Sequence, residues 1–289
     1  MIFHYLKIAF RNLCKYKTQN VISIIGLAVG LLCFCVCIYC SRFVENTDHC
    51  FANHDRIAEL NLYDSKADRY FSGSPVPLAE ELRTWALGET EAISSVTYPR
   101  ERPYYVELSP EKTLPYELET IEIDTCYNKI FTPEMVAGHW KMASQSLNSV
   151  ILSQSMAIKI FGNAESAIGK HMTLMRRLNT SPESTPKTGG IVYTIQAVMK
   201  DIPLNNSLDF MQNIDMLTVN DSEGLLQSPK RHNMTGANTY VLLSPQTTCT
   251  DLEKQFSKRD YTYTLYGEAY TVTASSMGAR LKKQGASYL

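Results

Sequence analysis

Any chemistry performed by this chain would have to come from its histidines, serines, cysteines and carboxylates, so their spacing is considered first. None of the six histidines lies in an H-E-x-x-H motif, which would place two zinc ligands on one helix face. His49 and His54, with Asp48 and Asp55 beside them, could ligate a metal, although scattered surface polar residues are the simpler interpretation. There is also no G-x-S-x-G nucleophile elbow. We therefore predict no catalytic residues, no cofactor, no metal site and no enzyme activity.

One segment superficially resembles a phosphate-binding loop. Residues 162–171 read GNAESAIGKH, with six residues between the glycines where the phosphate-binding motif has four. His171 also stands where that motif has the serine or threonine that holds magnesium. The segment is therefore not expected to bind a nucleotide.

The cysteines divide into two groups. Five of the eight (Cys14, Cys33, Cys35, Cys37 and Cys40) lie in or beside a long apolar segment, where they are most simply small apolar fillers. The other three are Cys50, Cys126 and Cys249, which are too few and too widely spaced for a disulfide framework. One pair among them could oxidise in an oxidising compartment, and the sequence leaves open which.

The apolar segment predicts a transmembrane helix over residues 20–41. No charged residue occurs from Thr18 to Ser41, and twenty helical residues span roughly 30 Å, the thickness of the hydrocarbon core. The alternatives are a buried core helix and a cleaved signal peptide, but the run is longer than a signal peptide needs and lacks a small-x-small cleavage site. Lys7, Arg11, Lys15 and Lys17 precede it, whereas Arg42 alone follows closely, so residue 1 is expected in the cytoplasm and residue 50 outside.

Two further patterns concern the membrane span: a basic segment before it and a pair of glycines inside it. Residues 1–19 predict an amphipathic helix on the cytoplasmic lipid surface, with Lys7, Arg11, Lys15 and Lys17 as its basic side. The alternative is a simple extension of the transmembrane helix. Inside the span, Gly26 and Gly30 form a G-x-x-x-G pair that would let another helix approach closely.

The region after the span mixes strand and helix signals and predicts an extracytoplasmic α+β domain. Residues 42–289 hold 24 basic and 29 acidic side chains, a net charge of −5 that gives no footprint for nucleic acid. Strands are predicted at 56–62, 93–98, 103–108, 119–124, 148–152, 170–175, 191–199 and 237–243. Helices are predicted at 76–87, 153–161 and 248–257, the second capped by Ser153 and ended by Gly162, and residues 176–190 read as a polar loop.

Several segments together resemble the permease subunits of MacB/FtsX-type (type VII) ABC transporters. The segments YLKIAFRNLCKYKTQNVISIIGLAVGL (5–31), FANHDRIAELNL (51–62) and PVPLAEELRTW (75–85) are similar to the family's first helix and span, entry strand and first external helix. VILSQSMAIKIFGNAESAIGK (150–170) and YTIQAVMKDIPLNNS (193–207) are the strongest matches, and TYVLLSPQTTCTDLEKQF (239–256) resembles the closing strand and helix. The resemblance implies that residues 42–256 are a periplasmic core domain.

The resemblance also implies a function and partners. Family permeases have four transmembrane helices, carry a large extracytoplasmic domain after the first, and dimerise above two cytoplasmic ATPase subunits. They drive efflux, extract lipoproteins or control cell-wall hydrolases, some with a periplasmic adaptor. We therefore expect an inner-membrane permease subunit that couples ATP-driven motion to a periplasmic domain, with no nucleotide of its own.

The last residues depart from the family pattern. Residues 257–289 are polar, do not resemble the family, and stand where three further spans would begin. A fragment, an altered reading frame and a half-permease with a partner stay open. So does a different class, a single-pass anchored sensor or interaction domain without transport activity. A membrane-anchored enzyme is a third alternative, although no catalytic set supports it. The substrate, the oligomeric state and the cysteine pairing are not readable from the sequence.

Overall fold

The structure is a computed structural model that describes residues 4, 11, 15–71, 73–109, 111–174, 190–208, 213–222, 224–227, 235–265, 267–277 and 279. The chain forms two compact units, Met1–Thr47 and Asp48–Leu289.

The first unit contains one long helix, α1 (Lys17–Glu45), which extends beyond the predicted 20–41 at both ends. None of its residues is buried, and Leu27 exposes 75% of its surface. Among the described residues this is the helix long and apolar enough to cross a membrane. An apolar helix without a protein covering does not fit the alternative of a buried core helix, since lipid tails are the solvent that suits it.

The remaining predictions for this unit lie largely beyond what the structure describes. Arg11 and Lys15 are helical and exposed, Lys17 opens α1, and Lys7 lies outside the described residues. On α1, no described atom lies within 4 Å of a Cβ built on Gly26 or Gly30, beyond the helix's own backbone and the adjoining residues. The basic surface helix and the G-x-x-x-G contact therefore stay predictions.

The second unit is a mixed α+β domain, as the sequence predicts. Its helices are α2 (Leu78–Thr84), α3 (Tyr127–Phe131), α4 (Trp140–Gln145), α5 (Gln154–Phe161) and α6 (Cys249–Lys258). The longer strands are β1 (Ile57–Asp64), β4 (Thr90–Thr97), β5 (Arg100–Ser109), β6 (Lys112–Ile123), β8 (Ser149–Ser153), β10 (Val192–Met199), β12 (Thr235–Leu243) and β14 (Glu268–Ser276). The shorter strands are β2 (Arg69–Tyr70), β3 (Ser74–Pro75), β7 (Met135–Gly138), β9 (His171–Leu174), β11 (Met216–Val219) and β13 (Thr262–Leu265).

Six strands close into a ring. Following the pairings, β5 lies beside β6, then come β11, β8, β10 and β9, and β9 returns to β5. A sheet that closes on itself in this way is a small barrel whose interior is filled by alternate side chains. Each strand contributes at least one fully buried residue to a common cluster, which includes Tyr104, Leu118, Val150, Met172, Tyr193 and Met216. This cluster, with Met156, Ala157 and Ile160 from α5, is the barrel core.

A second sheet continues from the barrel through β4, β12, β1, β14 and β13. Its core lies between these strands and two helices, with Leu78 and Leu82 from α2 and Leu252 and Phe256 from α6. Helix α6 begins with a reciprocal capping box, in which Thr248 and Asp251 each accept from the other's backbone N–H.

The eight predicted strands and three predicted helices are all found, with shifted ends. Helix α2 is shorter than the predicted 76–87; Ala86, two residues after its last residue, has the left-handed φ of 47°. The predicted loop at 176–190 lies outside the described residues except for Gly190. Residues 262–265 and 268–276, which the sequence assigns to a divergent tail, form the antiparallel pair β13–β14, and β14 pairs with β1 over six residues, Ala58 to Tyr63.

Candidate functional site

The two segments with the strongest family resemblance lie side by side in the barrel. Strand β8 of the first segment runs parallel to β10 of the second, so both carboxyl ends reach the same edge of the sheet. The Ser153 hydroxyl accepts from the Met156 N–H and caps α5, and Gly162 ends the helix with φ 86°, as predicted. The resemblance motifs thus begin and end one helix.

Asp201 joins the two segments. Its Oδ1 accepts hydrogen bonds from the Ser155 N–H and the Ser155 hydroxyl, each 3.0 Å long. A carboxylate at the first turn of a helix satisfies a free N–H and complements the positive end of the helix dipole. The aspartate that follows β10 therefore fixes the start of α5, which follows β8.

The chain that leaves α1 is bonded to the loop that follows Asp201. Asp48 is buried, its N–H donates to the Asn205 carbonyl at 3.2 Å, and its Oδ1 accepts from the Ser207 N–H at 2.6 Å. Asn206 braces the loop from within, because its side chain donates to the Pro203 carbonyl and accepts from the Leu208 N–H. We call residues 48–56 the exit segment and residues 200–208 the joint loop.

The rest of the exit segment is anchored by packing and by side-chain hydrogen bonds. Phe51 is 4% exposed and meets the Phe131 ring edge-on at 5.3 Å between centroids. The Asn53 amide donates to the Lys129 carbonyl at 3.3 Å, which ties the segment to α3. Arg56 donates to Glu91 at 2.7 Å and to the Leu243 carbonyl at 3.0 Å, which ties it to the second sheet. The exit segment therefore contacts both halves of the domain.

A cavity of about 360 Å³ lies between the exit segment, α3 and the joint loop. Its apolar floor includes Phe51, Tyr127 and Ile202, and its rim includes the ion pair of Lys200 with Glu134 at 3.0 Å. Burial raises the pKa of the Cys50 thiol on the same cavity wall, and nearby Asp48 raises it further. A raised pKa keeps this thiol protonated and poorly nucleophilic.

The structure places the other chemistry-bearing residues apart. The His49 and His54 rings lie 4.4 Å apart, but the described residues contain no group of three or more side chains able to hold a metal. Cys50, Cys126 and Cys249 are free thiols. In the segment that resembles a phosphate loop, Gly162 caps α5 and the Gly169 N–H donates to the Ile195 carbonyl, so both glycines have structural roles.

A buried charged cluster was not found by sequence reasoning. Glu122, Asp221 and Arg102 meet beside the barrel core, and Glu122 lies in a predicted strand as its polar side. The alternation in ETIEID indicates one buried face, Ile121 and Ile123, whereas a closed barrel buries the opposite face as well. A charged residue such as Glu122, within a strand that is covered on both faces, is the signal that would have indicated this buried cluster.

The comparisons agree with this architecture. A family model for the MacB-like periplasmic core domain matches residues 21–259. A domain of a candidate permease protein from Porphyromonas gingivalis is similar in structure, with a TM-score of 0.56, 21% identity, and coverage of 78% of this chain and 93% of that one. The periplasmic region of MacB from Actinobacillus actinomycetemcomitans is also similar, with a TM-score of 0.52, 14% identity, and coverage of 82% and 95%.

Both structural likenesses show the fold. Among curated proteins, no sequence matches this chain. The family match extends over most of the chain and includes most of α1, the exit segment, both resemblance motifs and α6. The chain therefore belongs to the MacB-like periplasmic core domain family of ABC-transporter-type permeases.

Proposed function

We propose that this chain is a permease subunit of a MacB/FtsX-type ABC transporter in the inner membrane. Residue 1 would lie in the cytoplasm and the domain from residue 48 in the periplasm. Its partners would be a cytoplasmic ATPase, a second permease copy and a periplasmic adaptor, and its work would be efflux or envelope export.

The observation that carries the proposal is the bonding of the exit segment to the joint loop. Asp48 lies three residues after the end of α1 and is hydrogen-bonded through both its backbone and its carboxylate. The same loop holds Asp201, which caps α5 of the barrel. A displacement of the chain at residue 48 would therefore reach Asp201 through residues 201–207, a segment in which the Asn206 side chain is bonded to the Pro203 carbonyl.

This arrangement suits the transmission of motion and requires no catalytic group in the domain. Stiff elements move together when buried packing and hydrogen bonds over-determine their positions. Phe51 in its aromatic contact, Asn53 on α3 and Arg56 on the second sheet supply such restraints. We propose that the domain is a moving part and that ATP chemistry belongs to the partner subunit.

The first experiment isolates the tagged chain from native membranes with a membrane-permeable crosslinker and identifies the proteins that co-purify. The proposal expects an ABC ATPase, and protease added outside spheroplasts should digest the domain while sparing the N-terminus. Repeated absence of an ATPase, with the domain still outside, would favour a single-pass sensor or interaction domain instead.

The second experiment tests the joint in the assembled complex. Asp48→Ala removes the carboxylate that accepts from Ser207, whereas the control Asp55→Asn alters an aspartate whose side chain is 87% exposed. The proposal expects ATP hydrolysis to persist in D48A while export falls, and both to persist in D55N. Equal export in both variants would refute the role of the joint.

A further inference from the structure

The last two described strands leave part of a sheet edge uncovered. Strand β14 pairs with β1 over residues 271–276, whereas β13 pairs with β14 only over residues 268–271. Among the described strands, none besides β1 and β13 pairs with β14. Residues 272–276 therefore have β1 on one side and no described strand on the other.

The direction of the backbone groups along this edge follows from two hydrogen bonds. The Met277 N–H donates to the Ile57 carbonyl of β1 at 3.0 Å, and the Ala274 N–H donates to Glu253 Oε1 of α6 at 2.9 Å. Successive residues of a strand direct their backbone groups to opposite edges, so Ala274 and Ser276 face away from β1. The Glu253 carboxylate thus supplies the acceptor that the carbonyl of a further strand would supply.

A cleft of about 430 Å³ lies along this edge, between α6 and residues 271–273 of β14. We call it the edge cleft. Phe256, which is 2% exposed, and Tyr261 supply its aromatic surface, with ring centroids 6.1 Å apart. Hydroxyl groups of serine and threonine residues complete its lining. The cleft therefore combines apolar surface, hydroxyl groups and an uncovered strand edge.

The charged side chains that line the edge cleft are acidic. They are Glu253 and Asp260, and none of the described lining residues is a lysine, an arginine or a histidine. The cations near the end of α6 do not line the cleft: Lys254 lies 2.9 Å from an aspartate oxygen one turn earlier, Arg259 lies 5.1 Å from the centre of a tryptophan ring, and Lys258 is exposed. Two carboxylates beside two aromatic rings suit an ammonium or guanidinium group.

We propose that the edge cleft is a docking site for an extended segment of a partner protein that carries a lysine or an arginine. The segment lies beside β14 as one more strand and gives the Ala274 N–H a backbone carbonyl in place of the Glu253 carboxylate. The released carboxylate and Asp260 then pair with the basic side chain of the segment.

Charge favours a different chain over a second copy of this one. Pairing two copies through the same edge would bring two carboxylates from each copy together without a lining cation, and such like-charge contacts are unfavourable. The pair β13–β14 also lies beyond residues 21–259, which match the family. The proposed contact is therefore additional to the family match and does not rest on the transport role.

Photo-crosslinking of the full chain in its native membranes tests the site. The photoreactive amino acid p-benzoylphenylalanine is placed at Thr271, which is exposed in the cleft, or at the control position Thr113, which is exposed on β6. Mass spectrometry should identify a partner segment that contains a lysine or an arginine at Thr271 and not at Thr113. Ser257, exposed on the α6 wall, is a second position if the Thr271 variant is poorly produced.

The captured segment, made as a labelled peptide, then measures the contribution of charge. Its affinity for the full chain in lipid nanodiscs should fall about tenfold in Glu253→Lys and in Asp260→Lys, and should fall with added salt. It should be unchanged in Glu111→Lys, which alters an exposed glutamate between β5 and β6. Equal affinity in wild type and both cleft variants would overturn the proposal.

The crosslinks themselves also decide the question. The proposal fails if neither Thr271 nor Ser257 captures a segment that Thr113 does not, or if the segment has no basic residue. It also fails if the captured segment belongs to a second copy or to residues 280–289 of the same chain, which include Arg280, Lys282 and Lys283. Either result would mean that this protein, and not a partner of another kind, fills the cleft.

Discussion

Asp48 allows the strength of the exit segment to be measured by three substitutions that separate two effects. Asp48 has a left-handed backbone with φ 69°, which aspartate, asparagine and glycine tolerate better than other residues. Its carboxylate also accepts from the Ser207 N–H at 2.6 Å in a buried position. Alanine loses both advantages, glycine loses only the acceptor, and asparagine keeps both.

The expected magnitudes follow from these contacts. Leaving a buried N–H without its acceptor costs about 1–3 kcal/mol. Placing alanine in the left-handed region adds about 1 kcal/mol. Asp48→Ala should therefore cost about 2–4 kcal/mol, Asp48→Gly about 1–3 kcal/mol, and Asp48→Asn less than about 1 kcal/mol.

Thermal unfolding of the full chain in nanodiscs, followed by the fluorescence of its two tryptophans, measures these differences. For a domain of this size, 1 kcal/mol shifts the midpoint by about 2–4 °C, so Asp48→Ala should unfold about 4–16 °C earlier. If Asp48→Asn is as unstable as Asp48→Ala, the bond to Ser207 does not contribute as described. If glycine and alanine are equal, the left-handed backbone adds no cost.

Three further predictions concern the barrel and the span. Gly138→Ala should cost more than about 3 kcal/mol, because its φ is 71° and its Cβ would lie 2.2 Å from the Gln196 carbonyl; Gly162→Ala, with φ 86° and open space, should cost about 1 kcal/mol. Burial raises the pKa of Glu122 to about 7, so its contribution to stability is complete below the pKa of the unfolded chain and is lost as pH rises through 7. The free energy of unfolding in urea, measured for the wild type relative to Glu122→Gln, should therefore fall by about 3 kcal/mol between pH 4.5 and 8. A difference that stays constant over this pH range would contradict the prediction. Gly30→Leu should weaken self-association measured by energy transfer in vesicles, whereas Ala28→Leu on the other side of α1 should not; equal effects would exclude the G-x-x-x-G contact.

The sequence predicts the framework well where one face of an element is buried. The strand around Leu60, the strand around Ile195 and helix α5 have the alternation or helical spacing that amphipathic elements require. Strand β11 was missed because its four residues, Met216 to Val219, are all buried and show no exposed side. The β13–β14 hairpin was missed because its inward residues, such as Tyr263 and Val272, alternate with threonines in a polar segment.

The candidate site was predictable only in its parts. Ser153 and Gly162 were assigned as a cap and a helix stop because both signals are local in sequence. The contact between Asp201 and Ser155 depends on the parallel pairing of β8 with β10, which brings together residues 46 positions apart. The contact of Asp48 with Ser207 spans 159 positions and has no local signal.

These long-range contacts connect motifs that carry no chemistry of their own. The joint loop is bonded at one end to α5 through Asp201 and at the other end to the exit segment through Ser207. Asn206 braces the loop, because its side chain donates to the Pro203 carbonyl and accepts from the Leu208 N–H. The loop is therefore hydrogen-bonded both to the segment that begins at Asp48 and to the first turn of α5. If the domain transmits motion as we propose, these bonds are the contacts through which a displacement at Asp48 would reach α5, and Asp48→Ala tests them.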